Sequence, residues 1–261
     1  MLKKLLIHPL AREMDVNDPQ TTVLRRRILK EKQFLRRIYQ EWYEGLIRAL
    51  PAEEGPVLEL GTGAGFLKEW LPDVIASDLL PLPGLSLVLD AHEVPFQDGT
   101  LRAIVMIDVL HHLPRPRRFL QEAARCVRPG GVVAMIEPWV STWSRLVYTK
   151  LHHEPFQPEA SQWEFPVAGP LSGANGALPW IMFHRDRSRL AAEFPEWRVK
   201  SIEPDMPFSY LLSGGVSMRA LAPGAAYGPI RRIERLMKPW MEACALFARI
   251  VLERLDHGTR N

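Results

Sequence analysis

Cysteine is scarce, long apolar runs are missing, and neither sign of charge dominates. Two cysteines in 261 residues, Cys126 and Cys244, cannot form a disulfide framework, so a reducing compartment is expected. No window offers the roughly 20 apolar residues that a membrane span needs. The opening Met1-Leu-Lys-Lys-Leu-Leu-Ile-His8-Pro9 looks basic and then apolar. His8 and Pro9 interrupt it, however, and no small-residue cleavage site precedes Arg12 and Glu13. No signal peptide is read there, and a cytoplasmic location is expected. Internal repeats and low-complexity tracts are missing as well.

What is present is ample apolar material, 47% of residues, enough for a substantial core. The net charge of +3 hides an uneven spread, because Arg25-Arg26-Arg27, Lys30, Lys32, Arg36 and Arg37 crowd one early segment. A basic patch can meet nucleic acid or anionic lipid, but the solvated face of a helix is the plainer reading. Leu24, Ile28, Leu35, Ile38, Trp42, Leu46 and Leu50 keep a helical spacing between those charges, which predicts a helix over 21–50. Pro51 and Gly55-Pro56 close it.

The pattern then changes. Short apolar strands at 57–61, 73–77, 86–89, 103–109 and 131–136 alternate with helical stretches at 65–71 and 115–127. Such alternation predicts a parallel sheet with crossover helices. Residues 139–185 are rich in Trp, Pro, Gly, His and Phe with little period, which suits a lid or binding loop. A short helix near 186–194, strand-like segments near 197–203 and 208–219, and a helix from 229 to 256 kinked at Pro239 complete the expected elements.

The most informative segment is Val57-Leu58-Glu59-Leu60-Gly61-Thr62-Gly63-Ala64-Gly65-Phe66, an apolar strand running into glycines at alternate positions. Glycines suit a sharp turn that a ligand must approach without a Cβ in the way. A dinucleotide site asks for a small residue at the sixth position of the turn, where this chain has Phe66. It also places the Glu59 carboxylate at the strand end. That charge is awkward for a pyrophosphate and suits a ligand bearing an ammonium and a sulfonium.

Glu59-Leu-Gly61-Thr-Gly63-Ala-Gly65 resembles the first motif of class I S-adenosylmethionine-dependent methyltransferases. The similarity continues in order through Val74-Ile-Ala-Ser-Asp78, Leu87-Val-Leu-Asp90-Ala91, Ile107-Asp108-Val-Leu-His111-His112-Leu113 and Cys126-Val-Arg-Pro129-Gly130-Gly131, up to Glu137-Pro138. It covers about residues 55–138 and is closest in character to the small-molecule, type 11 members. The resemblance implies an α/β, Rossmann-like fold with a seven-stranded, mostly parallel sheet and flanking helices. Added to it would be an N-terminal helical cap (1–54), an insertion after strand 5 (139–185) and a C-terminal amphipathic helix (222–261), with the methyltransferase domain itself at 55–221.

The resemblance also implies S-adenosyl-L-methionine as cofactor. Glu59, Gly61, Thr62, Gly63 and Gly65 would hold its methionine part, Asp78 with Leu79 its ribose, and Asp90 with Ala91 its adenine. Asp108 would close the site at the fourth strand. Asp78 lies 17 positions after Gly61, near the distance at which a carboxylate reaches ribose hydroxyls.

Methyl transfer asks an enzyme to align an acceptor and, where needed, remove a proton. His111 and His112 stand where an open sheet binds its ligand and are candidate catalytic bases. His152, His153 and Glu154 form a second candidate cluster. Metal binding by these histidines is not expected, as no third ligand is evident beside them. Trp139, Trp143, Tyr148, Phe156, Trp163, Phe165, Trp180 and Phe183 are candidates to line an acceptor pocket, although most aromatics in such a segment are core. Asn175, in Gly173-Ala-Asn175-Gly176, reads as a turn residue.

The fourth strand ends in Asp108-Val-Leu-His111 rather than the Asn/Asp-Pro-Pro-Tyr/Phe of amino-directed nucleic-acid methyltransferases, and no cysteine lies there. A small-molecule, lipid-linked or sugar acceptor is therefore favoured over nucleic acid. In the expected C-terminal helix, Lys238, Glu242, Arg249 and Glu253 form a polar stripe. Trp240, Met241, Cys244, Phe247, Ile250, Val251 and Leu252 form the apolar face. That face packs on its own domain or a partner subunit in a homodimer, or rests on a membrane surface. Two other functions stay open: a methyltransferase-like partner protein without activity, and an NAD-dependent oxidoreductase.

Overall fold

The computed structural model describes residues 19–151, 154–166 and 173–256. Two helices lead, α1 (Pro19–Glu31) and α2 (Gln33–Ala49), parted by Lys32. The expected helix over 21–50 is thus two. Strands β1 (Val57–Leu60), β2 (Ile75–Asp78), β3 (Leu87–Val88) and β4 (Leu101–Ile107) follow, then α3 (Pro116–Cys126) and β5 (Val127–Pro138). Proline within the first turn of α3 occupies a place where its missing N–H costs nothing.

Helix α4 (Thr142–Lys150) opens the segment after β5. Ser141 caps it, accepting from the Ser144 amide at 2.9 Å while its own amide donates to the Ser144 hydroxyl at 2.7 Å. Next come α5 (Leu178–Trp180), running into a wider turn at Ile181–Arg185, then α6 (Arg187–Glu193) and β6 (Trp197–Asp205). Helices α7 (Ser209–Ser213), α8 (Tyr227–Leu236) and α9 (Met241–Cys244) precede β7 (Phe247–Arg254).

The seven strands form one sheet in the order β3-β2-β1-β4-β5-β7-β6. Neighbours from β3 to β5 run parallel, and β7 runs antiparallel to both β5 and β6. Successive residues of the inner strands face opposite sides, so apolar runs follow when both sides are covered. Ala103, Val105, Val132 and Ala134 pack with Phe34, Ile38, Trp42 and Leu46 of α2. Ile104, Met106, Val133 and Met135 pack with Phe119, Leu120 and Ala123 of α3.

The end of the chain differs from expectation. Residues 229–256 are not one helix: α8 ends at Leu236, Pro239 lies in a tight turn at Lys238–Trp240, and Phe247–Arg254 is a strand inside the sheet. A strand covered on both faces shows no polar alternation, and Phe247, Ile250 and Val251 also fit helical steps. Ala248, Ile250 and Leu252 belong to one core cluster and Phe247 and Val251 to the other, so these apolar residues pack within their own domain, as a strand and not as a helix, and are not on a membrane-facing surface. The sheet domain thus runs past residue 221 to Arg254.

Two smaller expectations also change. The helix at 65–71 is only a turn at Leu67–Glu69, and the strand-like stretch at 208–219 holds α7 and a loop. No helix among the described residues is long and apolar enough to cross a membrane.

Two polar ties hold the helices over the sheet. Arg231 of α8 is 2% exposed and reaches Glu41 of α2 at 2.7 Å, Asp205 of β6 at 2.6 Å and Glu234 at 2.5 Å. Glu234 in turn accepts from the Phe208 and Ser209 amides at the start of α7. At the break between α1 and α2, the buried Lys32 ammonium donates to the carbonyls of Gly215 at 2.5 Å and Met218 at 2.7 Å. Burial lowers the Lys32 amine to about 8.

Candidate active site

The turn after β1 is shaped by contacts that leave no room for side chains. Gly61 has φ +64°, and a Cβ there would stand 2.4 Å from Val109 Cγ2. A Cβ on Gly65 would meet the Tyr43 hydroxyl at 2.6 Å and the Thr62 carbonyl at 2.8 Å. Tyr43 comes from α2 and accepts from the Phe66 amide at 2.8 Å, so the cap is docked directly on the glycine turn. Phe66 is buried edge-on against the Tyr43 ring at 5.0 Å, which explains an aromatic at that position.

The turn is also tied to β2. The Thr62 amide donates to the Ser77 carbonyl at 2.9 Å, and the Gly63 amide donates to Asp78 Oδ2 at 2.9 Å. Asp78 Oδ1 accepts from the Leu80 amide at 3.0 Å. Burial raises the Asp78 carboxyl even so, with these amide donors pulling the other way. Glu59 is 5% exposed and accepts from the Thr62 hydroxyl at 2.8 Å. Desolvation pushes Glu59 up to about 7, with Thr62 opposing and the charge of Asp78 adding to the rise.

A cleft of about 1060 Å³ opens over the carboxyl ends of the strands. Gly61, Gly63, Asp78, Leu79, Asp90, Ala91, Asp108 and His112 line it. Glu59, Thr62 and Gly65 stand behind the turn, where they shape it. Beside the β3 end, Asp90 Oδ1 accepts from the His92 amide at 2.9 Å and lies 2.5 Å from His92 Nδ1. From the helices above come Arg25 of α1, Val147 and Tyr148 of α4, and Tyr210 with Gly214–Met218.

The far end of the cleft is built around His111 and His112, in the tight turn Leu110–His112 that follows β4. Glu137, at the end of β5, is fully buried. One of its oxygens accepts from the Val109 and Leu110 amides at 2.9 and 2.7 Å. The other lies 2.7 Å from His111 Nδ1. His112 Nδ1 is 3.1 Å from the Gly173 carbonyl. Glu154 stands opposite, its carboxylate 3.6 Å from His111 Nε2 and 3.9 Å from His112 Nε2.

These neighbours divide the two imidazoles. Burial acts to lower His111, but Glu137, Glu154 and Asp108 outweigh it and raise the ring well above its usual value. Burial and the charge of His111 lower His112 to about 4. The walls of the cleft push Asp108 up to about 7, with His111 pulling it back. Asp108 also holds a left-handed backbone, φ 62°, a conformation uncommon outside glycine that collects at functional sites.

Of the expected aromatic lining, only Tyr148 reaches this cleft. Trp163 is sandwiched between Arg117 and Arg189, with ring-to-guanidinium distances of 4.4 and 5.0 Å, and Phe183 is core. Trp139 and Trp180 line a separate groove on the outer side. Asn175 serves its turn, accepting from the Gln157 and Ala177 amides. His152 and His153 lie outside the described residues, as does the opening stretch with His8 and Pro9. Glu137, Arg25, Lys32 and Tyr210 are the residues that sequence reasoning missed. Glu137 alone left a signal, as the acid closing the fifth strand.

Comparison with known proteins agrees with this geometry. Residues 58–135 match the family described as methyltransferase domain. An uncharacterized methyltransferase of Mycobacterium tuberculosis is 32% identical over 115 residues, 39% of this chain and 46% of the relative. Phthiotriol/phenolphthiotriol dimycocerosates methyltransferase 1 of Mycobacterium ulcerans is 34% identical over 89 residues, 34% of this chain and 27% of that protein. The chain thus spans about half or less of the length of the curated relatives it matches. A chain from the complex of the Haloferax volcanii Trm112 methyltransferase activator superposes with a TM-score of 0.51 at 15% identity, over 93% of this chain and 99% of that one, a likeness of fold. The family match, the strand order and the glycine turn fall together: residues 58–135 are similar to a methyltransferase domain and form the cofactor-side half of the sheet.

Proposed function

We propose that the protein transfers a methyl group from S-adenosylmethionine to a small, largely apolar acceptor, lipid-linked or sugar-bearing molecules included. The observation that carries this reading is one continuous cleft with two chemically different ends. Its volume, about 1060 Å³, is at the upper end for small-molecule sites and leaves room for a cofactor and an acceptor together.

At the first end, Asp78 keeps lone pairs for the ribose hydroxyls beyond those facing the Gly63 and Leu80 amides. Asp90 and Ala91 face the adenine position, and Asp108 and the glycine turn face the methionine part. Glu59 and Thr62 hold the turn from behind. Arg25 reaches the cleft from α1 with its Nε unpartnered, a group suited to a carboxylate. When bound, the cofactor supplies an electrophilic methyl on a sulfonium, and its positive charge suits a cleft edged by acids.

The second end sets the polar cluster of His111, His112 and Glu154 among apolar walls of Leu113, Pro114, Val147 and Leu246, with the exposed side chains of Leu151 and Leu221 at its rim. That lining favours an acceptor with hydrocarbon or ring surface. The mycobacterial relative named for a dimycocerosate lipid points the same way, over its short matched span. His111 and His112 stand at this end, where an acceptor hydroxyl would lose its proton.

Calorimetry with S-adenosylmethionine, S-adenosylhomocysteine and NAD tests the reading. Micromolar binding of the first two, about −8 kcal/mol, with none of NAD, is expected, followed by turnover with lipid or glycoside acceptors. Binding of NAD alone would overturn the proposal. Cofactor binding without turnover across the acceptor set would favour the inactive partner protein.

A further inference from the structure

The acceptor end holds a set of ligand atoms arranged as a metal site. His111 Nδ1 is taken by Glu137 and His112 Nδ1 by the Gly173 carbonyl, so each ring is left with Nε2 for the cleft side. Holding the second imidazole nitrogen on a carboxylate or a backbone carbonyl is how proteins orient histidine for a metal. The rings lie 4.1 Å apart, and their Nε2 atoms face the same carboxylate, Glu154.

The distances also fit. One donor atom each from His111, His112 and Glu154 lies within 4.8 Å of the others. Glu154 stands 3.6 Å from His111 Nε2 and 3.9 Å from His112 Nε2, and Asp108 Oδ1 is 3.9 Å from His111 Nε2. These separations exceed hydrogen-bond length. They are close to what donors span across a cation held about 2.1 Å from each. His111 is 1% exposed, and its Nε2 faces the carboxylates of Glu154 and Asp108.

From this geometry we infer that His111, His112 and Glu154 bind one divalent first-row transition metal at the acceptor end of the cleft. Imidazole with carboxylate suits zinc, iron or nickel rather than magnesium or calcium. Glu137 positions His111 and is no ligand, because both its oxygens are occupied. His112 and Glu154 line the cleft, so the metal would keep an open face toward the acceptor.

The role of the ion rests on the proposed methyl transfer; its binding does not. An acceptor hydroxyl on the metal would lose its proton to solvent, as metal-bound water does near neutral pH. Its oxygen would then form the bond to the methyl carbon as the carbon–sulfur bond breaks, leaving the electron pair on a neutral thioether. On this assignment the two histidines are ligands and not bases.

The test uses tag-free, full-length protein, stripped with EDTA and titrated with Co²⁺ and Zn²⁺, with S-adenosylmethionine affinity measured on the same samples. One equivalent of Co²⁺, visible ligand-field absorption and competition by Zn²⁺ are expected. His112→Ala and Glu154→Gln, both at partly exposed positions, should each weaken metal binding at least tenfold while leaving cofactor affinity unchanged. Absence of stoichiometric metal, or unchanged metal affinity in both variants, overturns the assignment. Cofactor binding without metal would sink this inference alone, and metal binding without cofactor binding would sink the methyltransferase reading alone.

Discussion

The floor and the roof of the cleft are built by different means. The floor, from β1 to the end of β5, is tied by contacts between residues close in sequence: Thr62 to Glu59 three apart, Gly63 to Asp78 fifteen apart. The roof is tied across the chain: Lys32 meets Gly215 and Met218, and Arg231 meets Glu41, with more than 180 residues between partners in each case. Short ties make the floor largely self-contained. Long ties make the roof depend on the whole chain being folded.

The sharpest break in that comparison is Arg231→Ala. Removing the guanidinium leaves Glu234 buried and uncompensated and frees Glu41 and Asp205. A loss of about 3–5 kcal/mol is expected, the cost of breaking a buried ion pair from one side. Urea unfolding followed by tryptophan fluorescence reads it. A loss below ~1 kcal/mol would show that the roof does not lean on this network.

Asp78→Ala acts on the floor alone. It should weaken S-adenosylmethionine binding by roughly 1.5–3 kcal/mol, the scale of hydrogen bonds to a charged group. Titration calorimetry checks this, and an unchanged affinity would remove Asp78 from the ribose position.

Glu59 offers a pH-resolved version. Its neighbours are Thr62, Asp78, Tyr43 and, farther off, Arg26. Its folded value of about 7 lies above the unfolded one, so the folded state holds a proton that the unfolded state releases between about 4.5 and 7. Stability from this group is therefore greatest at low pH and falls as pH rises through that window. Glu59→Gln should stabilise the cofactor-free protein by on the order of 2 kcal/mol at pH 8 and hardly at all at pH 4. Equal melting shifts at both values would contradict the raised carboxyl.

The smallest effect is expected at Lys32. Lys32→Met keeps the bulk but removes both donors to the loop at 215–218. Cofactor affinity should fall by about 1 kcal/mol, the net worth of such hydrogen bonds. Amide exchange should rise in that loop and not in the glycine turn.

The same division decides what could be read from the sequence. The floor was legible because each tie falls within a motif: glycines where Val109 and Tyr43 press on the backbone, and acids at strand ends. The roof was not, since nothing near Lys32 announces Gly215 and nothing near Arg231 announces Glu41. The strand Phe247–Arg254 was misread for a related reason. Its burial on both faces comes from β5 and β6, and its own pattern of apolar residues does not separate strand from helix. Glu154 reads from the sequence as a partner of His152 and His153, because its approach to His111 and His112 depends on the path of the chain after α4.

The position of β7 also bears on how the chain reaches its native state. β6 has no neighbour in the sheet except β7, and 41 residues separate Asp205 from Phe247. At a synthesis rate of about 5–20 residues per second, β6 waits some seconds with both edges bare, and so does the outer edge of β5. Bare edges are templates for pairing with another chain. Parallel and long-range strand pairing is slow to form in any case. A nascent chain stalled anywhere from Met206 to Leu246 would therefore carry its cofactor motifs complete and yet be the species most exposed to aggregation.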